Sequence, residues 1–250
     1  MEYKYIDFHC HILPGMDFDG TDDVAEAVAM CKTLKSQGVA TVCATPHFYP
    51  WNDDVDAFLA RRDKAIAALR AEGDTTDIVL GAEVQIFQSL NEYPVDRMCI
   101  GDSNVIMLEM PEMRFHDWMI TVIENAVYKF NVIPVIAHVE RYGYSVEELQ
   151  KLARIPNVIF QITIGELKYK HSLGLLDIVS SLGVPVVLGS DAHNMTDRPP
   201  QFDAVTKILE EKPRLFGFST KKAQAIIQNA LYAQPMLAEK ISKKTAKVTR

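Results

Sequence analysis

The sequence has few features of membrane-bound, disulfide-stabilised or nucleotide-binding proteins. It contains no run of about 18 apolar residues, the length that a membrane-spanning helix needs. Its four cysteines are widely spaced and form no C-x-x-C pair, so we expect a reduced, cytoplasmic protein. The G-x-G-x-x-G and G-x-x-x-x-G-K-[ST] turns that hold nucleotide phosphates are also missing.

Basic residues are outnumbered, with 26 Lys and Arg against 33 Asp and Glu and a net charge of −7. Five of the basic residues lie at positions 240–250, which contain no acid. The rest of the chain is therefore more acidic still, and we expect no general binding to nucleic acid or to anionic membranes. We interpret 240–250 as a solvated basic tail, with docking to an acidic partner or a membrane surface as the alternative.

The chain does contain an alternation of short apolar runs and longer amphipathic ones. The apolar runs predict strands at 5–9, 39–44, 78–81, 105–108, 133–137, 158–162 and 185–188. Helices are predicted at 22–37, 53–72, 117–130, 145–154, 172–182, 201–211 and 220–229. Thr21 or Asp22 is a candidate N-cap of the first helix, and Gly38 and Gly183 follow two helix ends.

Strands that alternate with helices predict a parallel sheet with helical crossovers. Seven such units in 250 residues fit a closed barrel better than an open sheet. We therefore predict an α/β fold, a single-domain (β/α)7 TIM-like barrel. No linker rich in Pro, Ser or Gly divides the chain, so residues 1–239 are assigned to one domain and 240–250 to the tail.

Six of the seven predicted strands end at a His, Glu or Asp. In strand order these residues are His9 and His11, His47, Glu83, Glu109, His138, and Asp191 and His193. The sixth strand offers only Gln161 and Thr163. In a parallel barrel the carboxyl ends of all strands meet at one mouth, so we expect these side chains to cluster there.

Acids buried together are costly unless positive charge lies among them, and metal ions supply it most simply. Residues two apart on a strand point to the same side, so His9 and His11 can bind one ion together, as can Asp191 and His193. Imidazoles and carboxylates without thiolates favour Mn, Fe or Zn. The set can hold at least two ions, with Glu83 as a bridging carboxylate. For each residue alone, the alternative is an ordinary structural role.

The segment 12–20, which follows the first pair of histidines, contains Asp17, Phe18, Asp19 and Gly20. One interpretation is a plain turn, because Asp and Gly are common turn residues. The other interpretation places Asp17 or Asp19 over the mouth as a further ligand or acid. These residues alone leave both interpretations open.

Several motifs occur in an order that resembles one known superfamily. They are H-C-H-I-L-P-G at 9–15, A-T-P-H at 44–47, G-A-E at 81–83, H-V-E-R-Y at 138–142, S-D-A-H at 190–193 and R-P-P at 198–200. The set is similar to the polymerase and histidinol phosphatase (PHP) superfamily. Within it, the set resembles the bacterial manganese-dependent protein-tyrosine phosphatases of capsule and exopolysaccharide operons. The resemblance implies a distorted (β/α)7 barrel and a phosphotyrosine-bearing protein as substrate, such as a bacterial tyrosine autokinase.

The resemblance also implies two to three metal ions, with Mn²⁺ expected and Fe or Zn as alternatives. The implied ligands are His9, His11, Glu83 and Asp191 for one ion, Glu83, Glu109 and His138 for a second, and His47, His193 and an aspartate for a third. We favour Asp19 as that aspartate, although Phe18 separates it from Asp17 where the family has adjacent aspartates. Arg141 and Arg198 would bind the substrate phosphate. Thr163 stands where the family tends to carry Asn.

Phosphate hydrolysis agrees with these residue types. A metal cluster can lower the pKa of water toward about 7 and offset charge on the phosphoryl group, and arginine is suited to phosphate oxygens. No cysteine is followed six residues later by arginine, and no G-x-S-x-G motif is present, which excludes the cysteine and serine routes. The alternatives are a small-molecule phosphatase of the histidinol-phosphate kind, a nuclease, or a non-enzymatic barrel. For each of the two arginines, the alternative role is surface charge.

An aromatic segment, F-Y-P-W at 48–51, follows His47. Beside a metal site it could stack on the ring of phosphotyrosine. The alternative is ordinary packing within a loop.

Overall fold

The computed structural model describes residues 5–73 and 76–203, over which parallel strands alternate with helices. The strands are β1 (Tyr5–Cys10), β2 (Val39–Ala44), β3 (His47–Phe48), β4 (Asp77–Leu80), β5 (Glu83–Gln85), β6 (Val105–Glu109), β7 (Ile133–Ile136), β8 (Ile159–Thr163) and β9 (Val186–Gly189). The α-helices are α1 (Val24–Ser36), α2 (Val55–Ala71), α3 (Asp117–Phe130), α4 (Val146–Leu152) and α5 (Lys170–Ser181). Short 3-10 turns occupy Leu90–Glu92, Val95–Met98, Val139–Arg141 and Ile164–Lys168.

The strands form two parallel sheets, β1-β2-β4 and β3-β5-β6-β7-β8-β9. Strands β2 and β3 are consecutive pieces of the chain separated by two residues, as are β4 and β5. Backbone hydrogen bonds continue across both breaks, from Gly81 N to the Ala44 oxygen (2.8 Å) and from Glu83 N to the Pro46 oxygen (2.9 Å). All seven predicted strands are therefore present. The two short strands β3 and β5 were not predicted.

The end of β1 lies beside the chain that follows β9. Cys10 and Ala192 form a parallel bridge. Asp7 is fully buried, and its carboxylate accepts hydrogen bonds from the Ser190 backbone N–H (2.8 Å) and hydroxyl (2.6 Å). Burial raises the pKa of Asp7 to about 7, although these hydrogen bonds oppose the shift. The first strand is thus joined to the last strand of the described chain.

Apolar strand residues pack in two clusters because alternate side chains point to opposite faces. The larger cluster packs against the helices, with Phe58 and Leu34 among its buried members. The smaller cluster takes residues from strands of both sheets: Phe8, Cys43, Val105, Met107, Val135, Ile159 and Val187, together with Ile100 and Ala137. The two sheets therefore share a buried apolar interior.

The ends of α1 and α5 show local capping. Asp23 is the N-cap of α1, and its carboxylate accepts from Ala25 N at 2.9 Å. The prediction of Thr21 or Asp22 was wrong, because the Thr21 hydroxyl accepts instead from Asp23 N (3.0 Å). Gly38 (φ +90°) and Gly183 (φ +69°) follow the two helices in the left-handed conformation that glycine tolerates best. Both predicted helix ends are confirmed.

Within 5–73 and 76–203, no helix is both long enough and apolar enough to cross a membrane. The four cysteines are buried and form no disulfide. Of the helix predicted at 201–211, residues 201–203 are described, and they are not helical. The rest of that helix, the helix predicted at 220–229 and the basic tail at 240–250 lie outside the described residues.

Candidate metal centre

Four candidate ligand atoms surround one point at the ends of β1, β4–β5 and β9. The Nε2 atoms of His9 and His11 are 3.0 Å apart, and each is 3.2 Å from Glu83 Oε2. They lie 3.5 and 3.4 Å from Asp191 Oδ1. Ligands held at about 2.0–2.2 Å from one tetrahedral or octahedral ion are separated by about 2.8–3.6 Å. The spacing therefore fits a single metal ion.

Two of these atoms are buried acceptors that lack a hydrogen bond. Among the described residues, neither Glu83 Oε2 nor Asp191 Oδ1 has a hydrogen-bond partner, although both side chains are almost completely buried. A buried polar atom without a partner costs about 1–3 kcal/mol, and more when it is charged. A cation among these oxygens would remove that cost, so the residues present fit a metal.

The charge of the surrounding imidazoles favours ionised carboxylates at this point. Burial alone would raise the pKa of Glu83, but the charges of His9 and His138 and the hydrogen bond between His138 and Oε1 hold that pKa well below its usual range. Burial is likewise outweighed at Asp191, whose pKa is also well below its usual range because of His9, His11 and Arg141. Both acids are thus in the form that binds a cation.

A second group of candidate ligands uses the other oxygen of Glu83. Glu83 Oε1 is 2.8 Å from His138 Nε2, which is 4.0 Å from Glu109 Oε1. Gln85 donates a hydrogen bond to Glu109 Oε2 at 3.1 Å. Burial and the charge of Glu83 raise the pKa of Glu109 to about 7. With one oxygen toward each group, Glu83 has the geometry of a bridging carboxylate.

A third group brings together three histidines, His11, His47 and His193, with ligand nitrogens within 4.8 Å of one another. His47 Nδ1 is 3.1 Å from Glu83 Oε2. His193 Nε2 lies 3.4 Å from Asp19 Oδ2. Burial and the charge of His11 lower the pKa of His193 to about 2, which keeps this imidazole neutral, as a metal ligand must be.

Asp17 and Asp19 occupy different places. Asp17 is buried, and both of its oxygens are used, Oδ2 by His11 Nδ1 (3.1 Å) and Oδ1 by His47 N (2.7 Å). The acceptor beside His11 Nδ1 selects the tautomer with its proton on that nitrogen, which leaves Nε2 free to bind a metal. Asp17 thus orients a candidate ligand, whereas Asp19 lies beside His193.

Gln161, in the middle of β8, orients His9 in the same manner. Its Oε1 accepts from His138 N (2.5 Å) and lies 3.0 Å from His9 Nδ1. At Gly189 in β9, an added Cβ would lie 2.5 Å from His9 Cβ and 2.9 Å from Gln161 Nε2. Gln161 was predicted near a strand end but was assigned no role. The signal was a polar residue near the carboxyl end of the otherwise apolar predicted strand.

Arg141 and Arg198 lie at the opening of the cluster. Both contact Asp191 Oδ2, with Arg198 Nη2 at 2.6 Å, and Arg198 Nη1 is 3.1 Å from Asp19 Oδ2. Their side chains remain 36% and 33% exposed. They therefore present charge both to the cluster and to solvent, unlike arginines that belong only to the surface.

The aromatic segment after His47 packs largely on itself and its neighbours. Phe48 is buried against Phe58. Tyr49 stacks on His47 with ring centroids 5.4 Å apart and lies 5.5 Å from Trp51. This arrangement favours the packing interpretation of the segment.

The parallel α/β fold and the cluster of imidazoles and carboxylates at its strand ends are typical of metal-dependent hydrolases. Comparison with protein families is more specific. The chain belongs to the capsular polysaccharide synthesis family CpsB/CapC, whose model matches residues 5–231.

Individual relatives agree with this assignment. The chain is 28% identical over 247 residues to the tyrosine-protein phosphatase YwqE of Bacillus subtilis, covering 92% of this chain and 94% of the relative. It is 24% identical over 241 residues to the tyrosine-protein phosphatase CpsB of Streptococcus pneumoniae, covering 88% and 94%. A solved structure, from work on YwqE and CpsB described as unique metal-dependent tyrosine phosphatases, matches with a TM-score of 0.73. It is 26% identical, and the match covers 90% of this chain and 94% of that chain.

Proposed function

We propose that this protein is a metal-dependent phosphomonoesterase that removes phosphate from tyrosine residues of proteins. The observation that carries the proposal is the cluster around Glu83, in which unpartnered buried oxygens face four histidines and two arginines lie at the opening. Membership of the CpsB/CapC family and relatives named as tyrosine phosphatases support the same activity. A role in capsule or exopolysaccharide regulation follows from the family.

We propose two to three ions, with Mn²⁺ as the metal and Fe or Zn as alternatives. The ligand sets would be His9, His11, Glu83 and Asp191; Glu83, Glu109 and His138; and His47, His193 and Asp19. When bound, such ions lower the pKa of water to supply a nucleophile and offset charge on the phosphoryl group. Asp17 and Gln161 hold His11 and His9 in the tautomer that binds metal.

Arg141 and Arg198 would bind the phosphate of the substrate. A guanidinium offers paired N–H donors that match two phosphate oxygens. Both side chains lie at the opening and contact Asp191. An incoming phosphate would therefore meet donors that are already directed toward the cluster, which limits the loss of side-chain entropy on binding.

We further propose that the two sheets are parts of one closed, distorted (β/α)7 barrel. The pairing of Cys10 with Ala192 and the hydrogen bonds from Ser190 to Asp7 support closure between β1 and β9. The shared apolar cluster supports a common interior. Closure would bring every carboxyl strand end to one mouth.

The proposed partner is a phosphotyrosine-bearing protein, for which a bacterial tyrosine autokinase is the expected example. The chemistry of the partner, rather than its fold, is what the site would recognise. Four buried cysteines without a disulfide are consistent with the reducing cytoplasm as the compartment of the protein.

The test is hydrolysis of a phosphotyrosine peptide by the purified full chain, with histidinol phosphate as a competing substrate. Treatment with a chelator should abolish hydrolysis, and Mn²⁺ should restore it. Metal content is measured by mass spectrometry on the same samples. Full activity in a verified metal-free sample would refute the metal-dependent mechanism. Preference for histidinol phosphate would instead identify a small-molecule phosphatase.

A further inference from the structure

A cavity of about 500 Å³ opens beside the second group of candidate ligands. Its lining includes three residues of the proposed site, Glu109, His138 and Arg141, together with the apolar or aromatic residues Met110, Met113 and Tyr142. Small-molecule sites occupy about 300–1,000 Å³ and combine apolar walls with a few placed polar groups. The cavity has apolar walls of this kind but more charged groups, since Glu112 and Arg114 also line it. It is continuous with the residues proposed to act on phosphate.

We propose that this cavity holds the phenyl ring of phosphotyrosine, with Met113 and Tyr142 against the ring while Arg141 holds the phosphate. The inference rests on the proposed function and adds the feature that selects aromatic over aliphatic phosphate esters. Met113 is thereby a specificity-determining residue, and it touches the ring rather than the reacting phosphoryl group.

The wall formed by Tyr142 is held in place by its neighbours. Its hydroxyl oxygen accepts a hydrogen bond from Met110 N at 2.9 Å. Its ring stacks on Tyr144 with centroids 5.2 Å apart and lies 5.5 Å from the ring of His138. A wall fixed in this way offers an aromatic surface that needs no ordering when a ligand binds.

Met113 supplies the adaptable side of the cavity. Its side chain is 52% exposed although it is apolar. A methionine thioether is polarisable and makes favourable contacts with aromatic rings at about 5 Å. An exposed methionine in a cavity that also contains Arg141 is therefore suited to close over an aromatic ring.

The aromatic segment after His47 is a poorer candidate for the same ring. Tyr49 already packs between His47 and Trp51, and Trp51 packs edge-on against Phe87 with centroids 5.7 Å apart. These rings therefore contact one another, and Trp51 remains 54% exposed. Trp51 does not line the cavity, so it provides a matched control as an exposed, bulky apolar residue.

The experiment compares Met113→Ala and Trp51→Ala with the parent protein, all loaded with Mn²⁺. Phenyl phosphate and ethyl phosphate are the two substrates. The kinetic constants of each variant are divided by those of the parent on the same substrate, so that the difference in leaving-group reactivity cancels. For Met113→Ala we expect KM for phenyl phosphate to rise by about two- to tenfold, the range of a lost sulfur–aromatic contact. Ethyl phosphate kinetics, inhibition by inorganic phosphate and metal content should not change. Met113→Leu should restore only part of the affinity, because leucine is apolar but lacks the sulfur. Trp51→Ala should resemble the parent on both substrates.

Equal loss on the two substrates by Met113→Ala would overturn the proposal, as would a selective loss of phenyl phosphate binding in Trp51→Ala. If the parent hydrolyses no phosphomonoester, the proposed function fails, and the cavity is judged by binding alone. Phenylphosphonate and methylphosphonate are then titrated calorimetrically into the metal-loaded proteins. A preference for phenylphosphonate that disappears in Met113→Ala supports the ring site, and equal binding of the two phosphonates overturns it.

Discussion

Asp17→Asn tests how the orientation of His11 affects metal binding without removing a candidate ligand, because Asp17 contacts His11 only through a hydrogen bond. The carboxylate accepts from two donors, His11 Nδ1–H and the backbone N–H of His47. An asparagine offers one oxygen and one NH₂ group, so it can satisfy only one of the two. If the NH₂ group faces His11, the proton of the imidazole moves to Nε2 and blocks that atom as a ligand. Loss of such an orienting group costs about 10- to 100-fold in metal affinity.

If the amide turns the other way, its NH₂ group faces the His47 N–H, and a buried donor loses its partner. The free energy of unfolding of the metal-free protein should then fall by about 1–3 kcal/mol. Mn²⁺ affinity is measured by competition with a chelator, and stability by denaturant unfolding. Asp23→Asn is the matched control, because asparagine caps a helix as well as aspartate does. Unchanged metal affinity together with unchanged stability would refute the reasoning.

Three further predictions follow from the same geometry. Glu83→Gln keeps the side-chain volume but removes the charge between the ligand groups, so kcat at saturating Mn²⁺ should fall by about 10²-fold or more. A near-normal kcat would show that Glu83 has no role in catalysis. Arg141→Ala and Arg198→Ala should each lower kcat/KM on a phosphotyrosine peptide by about 10- to 100-fold with metal content unchanged. Lysine at either position should restore kcat/KM only partly. Loss of metal would instead show that the arginine supports the cluster. Gly189→Ala should destabilise the fold by at least about 1–3 kcal/mol, because the added Cβ would clash with His9 and Gln161. Gly174→Ala, which has open space in α5, should be neutral or stabilising by about 0.5–1 kcal/mol. Equal effects of the two substitutions in thermal unfolding would contradict this prediction.

The strand pattern and the clustering of the ligands could be predicted from the sequence for one physical reason. Parallel strands bring their carboxyl ends together, so residues as distant as His9 and His193 can be assigned to one place without knowing any contact. The breaks that create β3 and β5 could not be predicted, since they depend on how two sheets meet. Whether the basic tail has a role stays a prediction.

Residues that act through another side chain were either missed, as Gln161 was, or given a different role, as Asp17 was. Gln161 and Asp17 matter because of which ring nitrogen they face, and that depends on the rotamers of His9 and His11. Asp7 is a similar case, because its buried carboxylate accepts a hydrogen bond from the hydroxyl of Ser190, which lies 183 residues later in the sequence. For the aromatic segment at 48–51, ring binding and loop packing were both open in the sequence, and the structure favours packing. Aromatic residues close in sequence, at 48–51, pack on one another, while an exposed methionine in another loop lines the opening.

The junction between β1 and the segment after β9 has a consequence for biosynthesis. A nascent chain that has been translated through β8 already carries His9 and His11, yet it lacks Asp191 and His193. The complete set of proposed metal ligands can therefore form only after residue 193 has left the ribosome. Binding of a cation to that complete set would then be coupled to the closing step of folding and would stabilise the finished protein more than its truncated precursors. Fragments ending before β9 should consequently be degraded whether or not the cell is supplied with manganese.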